Sequence, residues 1–142
     1  MAMPAPSQDG DRSAEPWRLV DAESGRTVVH SLAVADGYWS RLVGWQFRRR
    51  PETGHGLLLV PCSSVHTFWL RFALDLVMLD ARGQVVAVCN AIRPWRVVLP
   101  DRRTHAILEM PSGANDFHPH QALRIAGPPH RSVPKSLRFL SE

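Results

Sequence analysis

Apolar residues in this chain fall into short runs set between turn-forming residues, the pattern of strands and hairpins. The runs "WRLVD" and "RTVVHSLAVA" flank "AESG" and predict a hairpin that opens the folded region near Trp17. "LLLVP" predicts a short buried strand ended by Pro61, after a loop over "RRRPETGHG". "LDLVMLD" and "QVVAVCNAI", on either side of "ARG", predict a second hairpin. "HAILEM", closed by the turn "PSG", and "ALRIA" predict two further strands. "RPWRVVLPDRR" holds two prolines and predicts a loop or an edge segment. One stretch has a helical period instead: Trp39, Leu42, Val43 and Phe47 share a face of a helix over 37–47, with Asp36 as its cap. Gly44 inside that helix costs about 1 kcal/mol against Ala, which is explained if the helix lies close against a strand. The expected fold class is α+β, mainly β: a curled or barrel-like sheet with one principal short helix.

The run from Val60 to Asp80 reads as core yet carries Cys62, His66, Arg71 and Asp75. In one continuous strand, His66, Phe68, Leu70, Phe72, Leu74, Leu76 and Met78 would face one side. Trp69, Arg71 and Asp75 would face the other among apolar neighbours. Four residues of extended chain span about 13 Å, whereas an ion pair needs roughly 4 Å or less. A strand from His66 to Asp80 would also exceed the usual length of about 3–10 residues. The expectation is a bend at Phe72–Leu74 that makes two strands and brings Arg71 near Asp75.

Three regions follow: a flexible N-terminal tail over 1–16, a single β-rich domain over 17–127, and a loosely held basic tail over 128–142. At 142 residues, with 44% apolar and 21% charged residues, one domain can bury a core without a disulfide or metal staple. Two cysteines, Cys62 and Cys89, suit a reducing compartment. The N-terminus has no charged segment followed by an apolar one, and no window approaches about 18 consecutive apolar residues. The expected location is therefore cytoplasmic, with no membrane partner. The net charge of +4 comes from sixteen arginines and one lysine, and guanidinium groups bind planar anions bidentately.

No phosphate loop, dinucleotide fingerprint, hydrolase elbow or zincin motif occurs. Cys62 and His66 form C-x₃-H, which could supply a nucleophile and its base or serve as a buried thiol beside a hydrogen-bonded imidazole. His118, His120 and His130 sit in proline-rich loops, and no designed metal site is expected there. Arg48 to Arg50, "RPWR" and "DRR" could form a basic strip with Trp95 as a stacking platform for single-stranded nucleic acid. The plainer reading of Arg48 to Arg50 is a set of cations at a helix C-terminus. Glu109 lies on a short apolar strand and needs a partner if it is buried.

The order "SRLVGWQFR", "HGLLLVP", "SVHTFWLRFALDLVMLDARGQVVAV", "RPWR", "AILEMPSG" resembles the DUF192 family of UPF0127-type proteins, from about Val28 to Ala126. The block "HTFWLRFALDLVMLD", followed by a Gly turn and "VV", is the specific part. The resemblance implies a small β-rich α+β domain with no established biochemical activity. Many members carry an export signal or lipoprotein leader, which is not seen here. Leu70 stands where members usually have Met, and Ala73 where they usually have Pro. Recurrent positions of the family fall on Gly44, Gly56, His66, Thr67, Trp69, Arg71, Asp75, Pro94, Glu109 and Gly113.

The leading expectation is a non-catalytic domain that binds a small anionic ligand without a cofactor or metal. His66, Trp69, Arg71 and Asp75 would line its pocket, with Trp95 and Glu109 near the rim. Arg71 would take the anion and Trp69 would stack on the ligand. The alternatives are an enzyme built on Cys62 and His66, and a nucleic-acid accessory protein using its arginine-rich surface.

Overall fold

Runs bounded by turn residues become strands much where the pattern places them. The computed structural model describes residues 15–35, 49–62, 65–99, 101–113 and 116–141. Strands β1 (Trp17–Asp21) and β2 (Thr27–Ala35) form the expected first hairpin. Its turn is tied by the Asp21 carboxylate, which accepts the N–H groups of Glu23 at 3.0 Å and Ser24 at 2.7 Å. Strand β3 (His55–Leu59) starts earlier than "LLLVP" implies, because His55 and Gly56 already pair with Ser31 and Leu32 of β2. The run from Val60 to Asp80 does bend, but ahead of the expected Phe72–Leu74: β4 (Val65–His66) and β5 (Leu74–Leu79) are separate strands joined by turns over 68–72. β5 and β6 (Val85–Ile92) make the second expected hairpin. Gly83 in its turn has φ 80°, and a Cβ there would meet the Leu123 carbonyl oxygen at 2.9 Å. Then follow β7 (Val97–Val98), β8 (Ala106–Pro111) and β9 (Leu123–Ala126).

The strands make a seven-stranded mixed sheet in the order β6-β5-β8-β3-β2-β1-β9, beside a small sheet of β4 and β7. Within the larger sheet, β2 and β3 run parallel and the other neighbours run antiparallel. The edges approach each other at one end. Val85 N–H donates to the Gln121 carbonyl at 2.8 Å, and Leu123 N–H to the Gly83 carbonyl at 2.9 Å. β6 and β9 are not paired along their length, so the sheet curls without closing into a barrel. Among the described residues the fold is mainly β, as expected, with one small helix, and the barrel is not formed.

Curling encloses one apolar cluster, with Leu19, Val29, Leu58, Val77, Leu79, Leu108 and Met110 at its centre. A second cluster lies on the other face of β3, β5 and β8, where Leu57, Leu59, Leu74, Leu76, Met78 and Ile107 are covered by Val65, Leu70 and Phe72. Every residue of β5 and β8 is therefore buried, which is why both read as nearly unbroken apolar runs.

The C-terminal segment corrects an expectation. It is not a loosely held tail: residues Lys135–Leu140 form a short 3₁₀ helix whose Leu137 and Leu140 are fully buried in the first cluster. The apolar i, i+3 pair was the available signal, and the surrounding Pro, Ser and basic residues masked it. The lead into this helix is held by Arg131, whose guanidinium lies 4.9 Å over the Trp17 ring. The helix expected over 37–47 and most of the N-terminal tail lie outside the described residues. Among the described residues, no helix is long and apolar enough to cross a membrane.

Candidate functional site

Two acidic residues sit inside the fully buried strands, one on each face of the sheet, and the fold treats them differently. Asp75, only 2% exposed, is the second residue of β5, beside a β-bulge. Leu74 pairs with Ile92 but Leu76 pairs with Cys89, so β6 carries an extra residue, and Ala91 there adopts φ 54°. The bulge turns the Ala91 N–H out of the ladder, and the Asp75 carboxylate accepts it at 2.8 Å. The other carboxylate oxygen accepts the Gly113 N–H at 3.4 Å, tying the turn after β8 to the same point.

Glu109 lies in the middle of β8 on the second apolar face, with Leu57 and Leu76 opposite it on the two neighbouring strands. It is 5% exposed, and burial pushes its carboxyl up to about 7. Its position is thus inside the layer and not at a rim.

The expected proximity of Arg71 and Asp75 does not yield an ion pair. Across the bend Leu70 and Phe72 turn inward into the second cluster, so Arg71 between them faces solvent. Arg71 is in none of the ion pairs found among the described residues. His66, on β4, is half-buried; its ring stacks 4.9 Å from Phe68, and its Nδ1 is buried without a hydrogen-bond partner. Cys62 is half-buried against the second cluster, and neither Cys62 nor Cys89 is in a disulfide. His118, His120 and His130 are exposed, and no group of three or more His, Cys, Asp or Glu among the described residues is placed to hold a metal.

What the fold does assemble is an aromatic and basic surface around the small sheet. It is organised by Thr67, which is fully buried. The Thr67 N–H donates to the Arg96 carbonyl at 2.7 Å, and its carbonyl accepts the Trp95 N–H at 2.9 Å. Its hydroxyl donates to the Arg93 carbonyl at 2.7 Å and accepts the Arg96 N–H at 2.7 Å. One threonine thus binds the whole turn Arg93–Arg96 to the loop that carries Phe68 and Trp69.

Held this way, Trp69 and Trp95 have left-handed backbones, with φ 64° and 63°. That conformation costs a non-glycine residue about 1 to 2 kcal/mol. Both indoles remain half in solvent, at 50% and 53% exposure, and they meet edge to face with centroids 4.6 Å apart. Phe68 backs Trp95 at 5.6 Å, continuing the stack from His66. Arg93 and Arg96 flank Trp95 in the chain, Arg71 follows Trp69 by two residues, and all three are exposed. Next to Trp95 is a groove of about 450 Å³ lined by Ala91, Ile92, Arg93, Arg96, Val97 and Val98. Asp75 reaches this groove indirectly, through the bulge that sets Ala91.

Of the residues singled out in the sequence, His66, Trp69 and Trp95 come together and Arg71 stands on the same loop as Trp69. Asp75 and Glu109 are buried in the two layers beneath. Sequence reasoning missed Thr67 as an organiser and Phe68 as part of the stack; it named Arg93 and Arg96 only in the basic strip with Trp95, not in the small-ligand pocket. The signal for the arginines was present in "RPWR", where two cations bracket a tryptophan.

Comparisons with known proteins place this architecture. The DUF192 family model, described as an uncharacterized ACR, matches residues 19–120. A UPF0127 protein of Thermococcus sibiricus is 27% identical over 105 residues, covering 70% of this chain and 66% of that protein. This chain therefore spans about two thirds of that relative. A UPF0127 protein of Pyrococcus horikoshii is 28% identical over 101 residues, covering 69% of this chain and 87% of that protein. A crystal structure of a protein put forward as a transcription regulator, from Sinorhizobium meliloti 1021, is similar with a TM-score of 0.61 and 25% identity. The match covers 78% of this chain and 92% of that one. A protein of unknown function from Novosphingobium aromaticivorans DSM 12444 has the same fold, with a TM-score of 0.66 at 18% identity over 77% of this chain and 83% of that one. By the family model that spans most of its strands, the chain belongs to the uncharacterised DUF192 family.

Proposed function

We propose that the chain is a non-catalytic binding domain for a small anionic ligand with a planar face. Its seat is the surface of Trp69 and Trp95, with Arg71, Arg93 and Arg96 around it. One observation carries this reading: two half-exposed tryptophans with left-handed backbone meet edge to face on two loops that a buried threonine ties together. Strained backbone persists where surrounding contacts over-determine it, and exposed aromatic surface gains little for stability by itself. A ligand plane laid on an indole would recover that surface, and guanidinium groups nearby would bind the anion in a bidentate manner. His66 and Phe68 support the platform from behind. Asp75 and Glu109 belong to the scaffold on this reading, the former setting the groove wall and the latter lying in the core.

The test is indole fluorescence titrated with aromatic carboxylates and nucleoside monophosphates. Saturable quenching is expected in the wild type. Trp69→Gly with Trp95→Gly should abolish it, since glycine accepts the left-handed backbone and removes only the rings. Arg71→Ala should weaken binding about tenfold while leaving the melting temperature unchanged, because one charge-assisted hydrogen bond is worth about 1.5–3 kcal/mol. If no compound quenches saturably at millimolar concentration, or if Arg71→Ala instead unfolds the protein, the proposal fails.

A further inference from the structure

Resting on that aromatic and basic seat, we infer that its ligand is a stretch of single-stranded nucleic acid, with neighbouring bases on Trp69 and Trp95 and phosphates in the arginine-lined groove. The indole planes are inclined at 63°. One flat ligand can lie parallel to only one of them. Using both rings requires two planes that are joined flexibly and set at an angle. Successive bases of a single strand meet that requirement; the bases of a duplex, stacked and parallel, do not.

Charge agrees with the geometry. The two loops, Val65–Ala73 and Ala91–Leu99, contain no Asp or Glu, while Arg71, Arg93 and Arg96 point outward. Arg93 and Arg96 bracket Trp95 in the chain and line the groove beside it, so a base on that ring would place its phosphate within the arginine fork. Ile92, Val97 and Val98 give the groove an apolar lining, and Val97 and the neighbouring Leu99 are 60% and 82% exposed, which gives sugars and further bases a surface to lie on. Thr67 already ties the two loops that carry the rings, so little backbone ordering cost should fall on binding. Stacking of this kind tolerates any base, and recognition of a strand without sequence preference is expected.

Fluorescence anisotropy with end-labelled strands of about twelve nucleotides, both DNA and RNA, tests the inference. Either strand should bind more tightly than the mononucleotide by tenfold or more, and duplex of equal length should bind less well. A strand of the same length lacking bases should lose about tenfold or more, as should Trp69→Gly and Trp95→Gly singly, since one stacked base is worth about five- to a hundredfold. Affinity should fall with salt at a log–log slope of about −2, from three guanidiniums at roughly 0.7 each. Equal binding of the abasic strand, or of inorganic polyphosphate, would reduce the surface to a diffuse cation and overturn the inference. A mononucleotide that binds as tightly as the strand would overturn it while leaving the small-ligand seat intact. Failure of both to bind would remove the seat as well.

Discussion

Thr67 shows how much one side chain can decide. Its hydroxyl answers a carbonyl and an amide of the Arg93–Arg96 turn, and no water is needed to do it. Thr67→Val keeps the shape and leaves those two backbone groups unpaired, at about 1–3 kcal/mol for each. The expected result is a loss of roughly 2 kcal/mol or more in urea unfolding, with Thr67→Ser recovering most of it. Trp95 emission should shift in the valine variant, because the turn that holds it is freed.

Glu109 makes a different prediction. Its carboxyl holds its proton up to about 7 in the folded protein, against an ordinary value of 4.5 in the unfolded chain. Below 4.5 both states are protonated and the residue costs nothing extra. Between 4.5 and 7 the unfolded chain releases the proton and the folded protein does not, so stability falls across that window and levels off above it. The fall is of order 3 kcal/mol. Glu109→Gln should remove this slope: unfolding free energy measured at mildly acidic and mildly alkaline pH should differ less in the variant than in the wild type. An unchanged slope would assign the pH dependence to another group.

At the level of elements, irregularities do the positioning. The bulge in β6 adds a residue near its end, Asp75 accepts the Ala91 N–H there, and the same end forms one wall of the groove. β4 and β7 are only two residues each, with register pairs Val65↔Val98 and His66↔Val97. So short a sheet depends on the Thr67 contacts for its stability. The C-terminal 3₁₀ helix acts as a plug. Leu140→Ala should destabilise the domain by about 2–5 kcal/mol, as removal of a buried leucine does. A thermal melt lowered by several degrees would bear this out, whereas a melt within a degree of the wild type would mean that the segment is dispensable. Gly127 lets the chain pass into this plug, since a Cβ there would lie 2.2 Å from the Trp17 ring.

At the scale of the whole molecule, the chain divides its apolar residues between the two faces of one curled sheet, with basic groups outside. Hairpins and strands were legible in the sequence because alternation and turn residues are local properties, written within a few positions of each other. Both hairpins and the strand "HAILEM" follow from such signals, whereas the bend ahead of β5 was expected from strand length and begins nearer His66 than Phe72–Leu74. The family was legible too, through an ordered set of short motifs. Contacts between distant segments were not legible. Nothing near Asp75 in the chain announces that its carboxylate meets the amides of Ala91 and Gly113 in place of Arg71. Nothing near Thr67 announces a turn some thirty residues on. Leu137 and Leu140 looked like part of a polar tail until the curl of the sheet offered them a core to fill. The sequence by itself determined which residues pair into strands and which family pattern they follow. Only the tertiary structure decided which polar groups are consumed in holding the fold and which are left facing water, because that depends on what each strand end meets across the sheet.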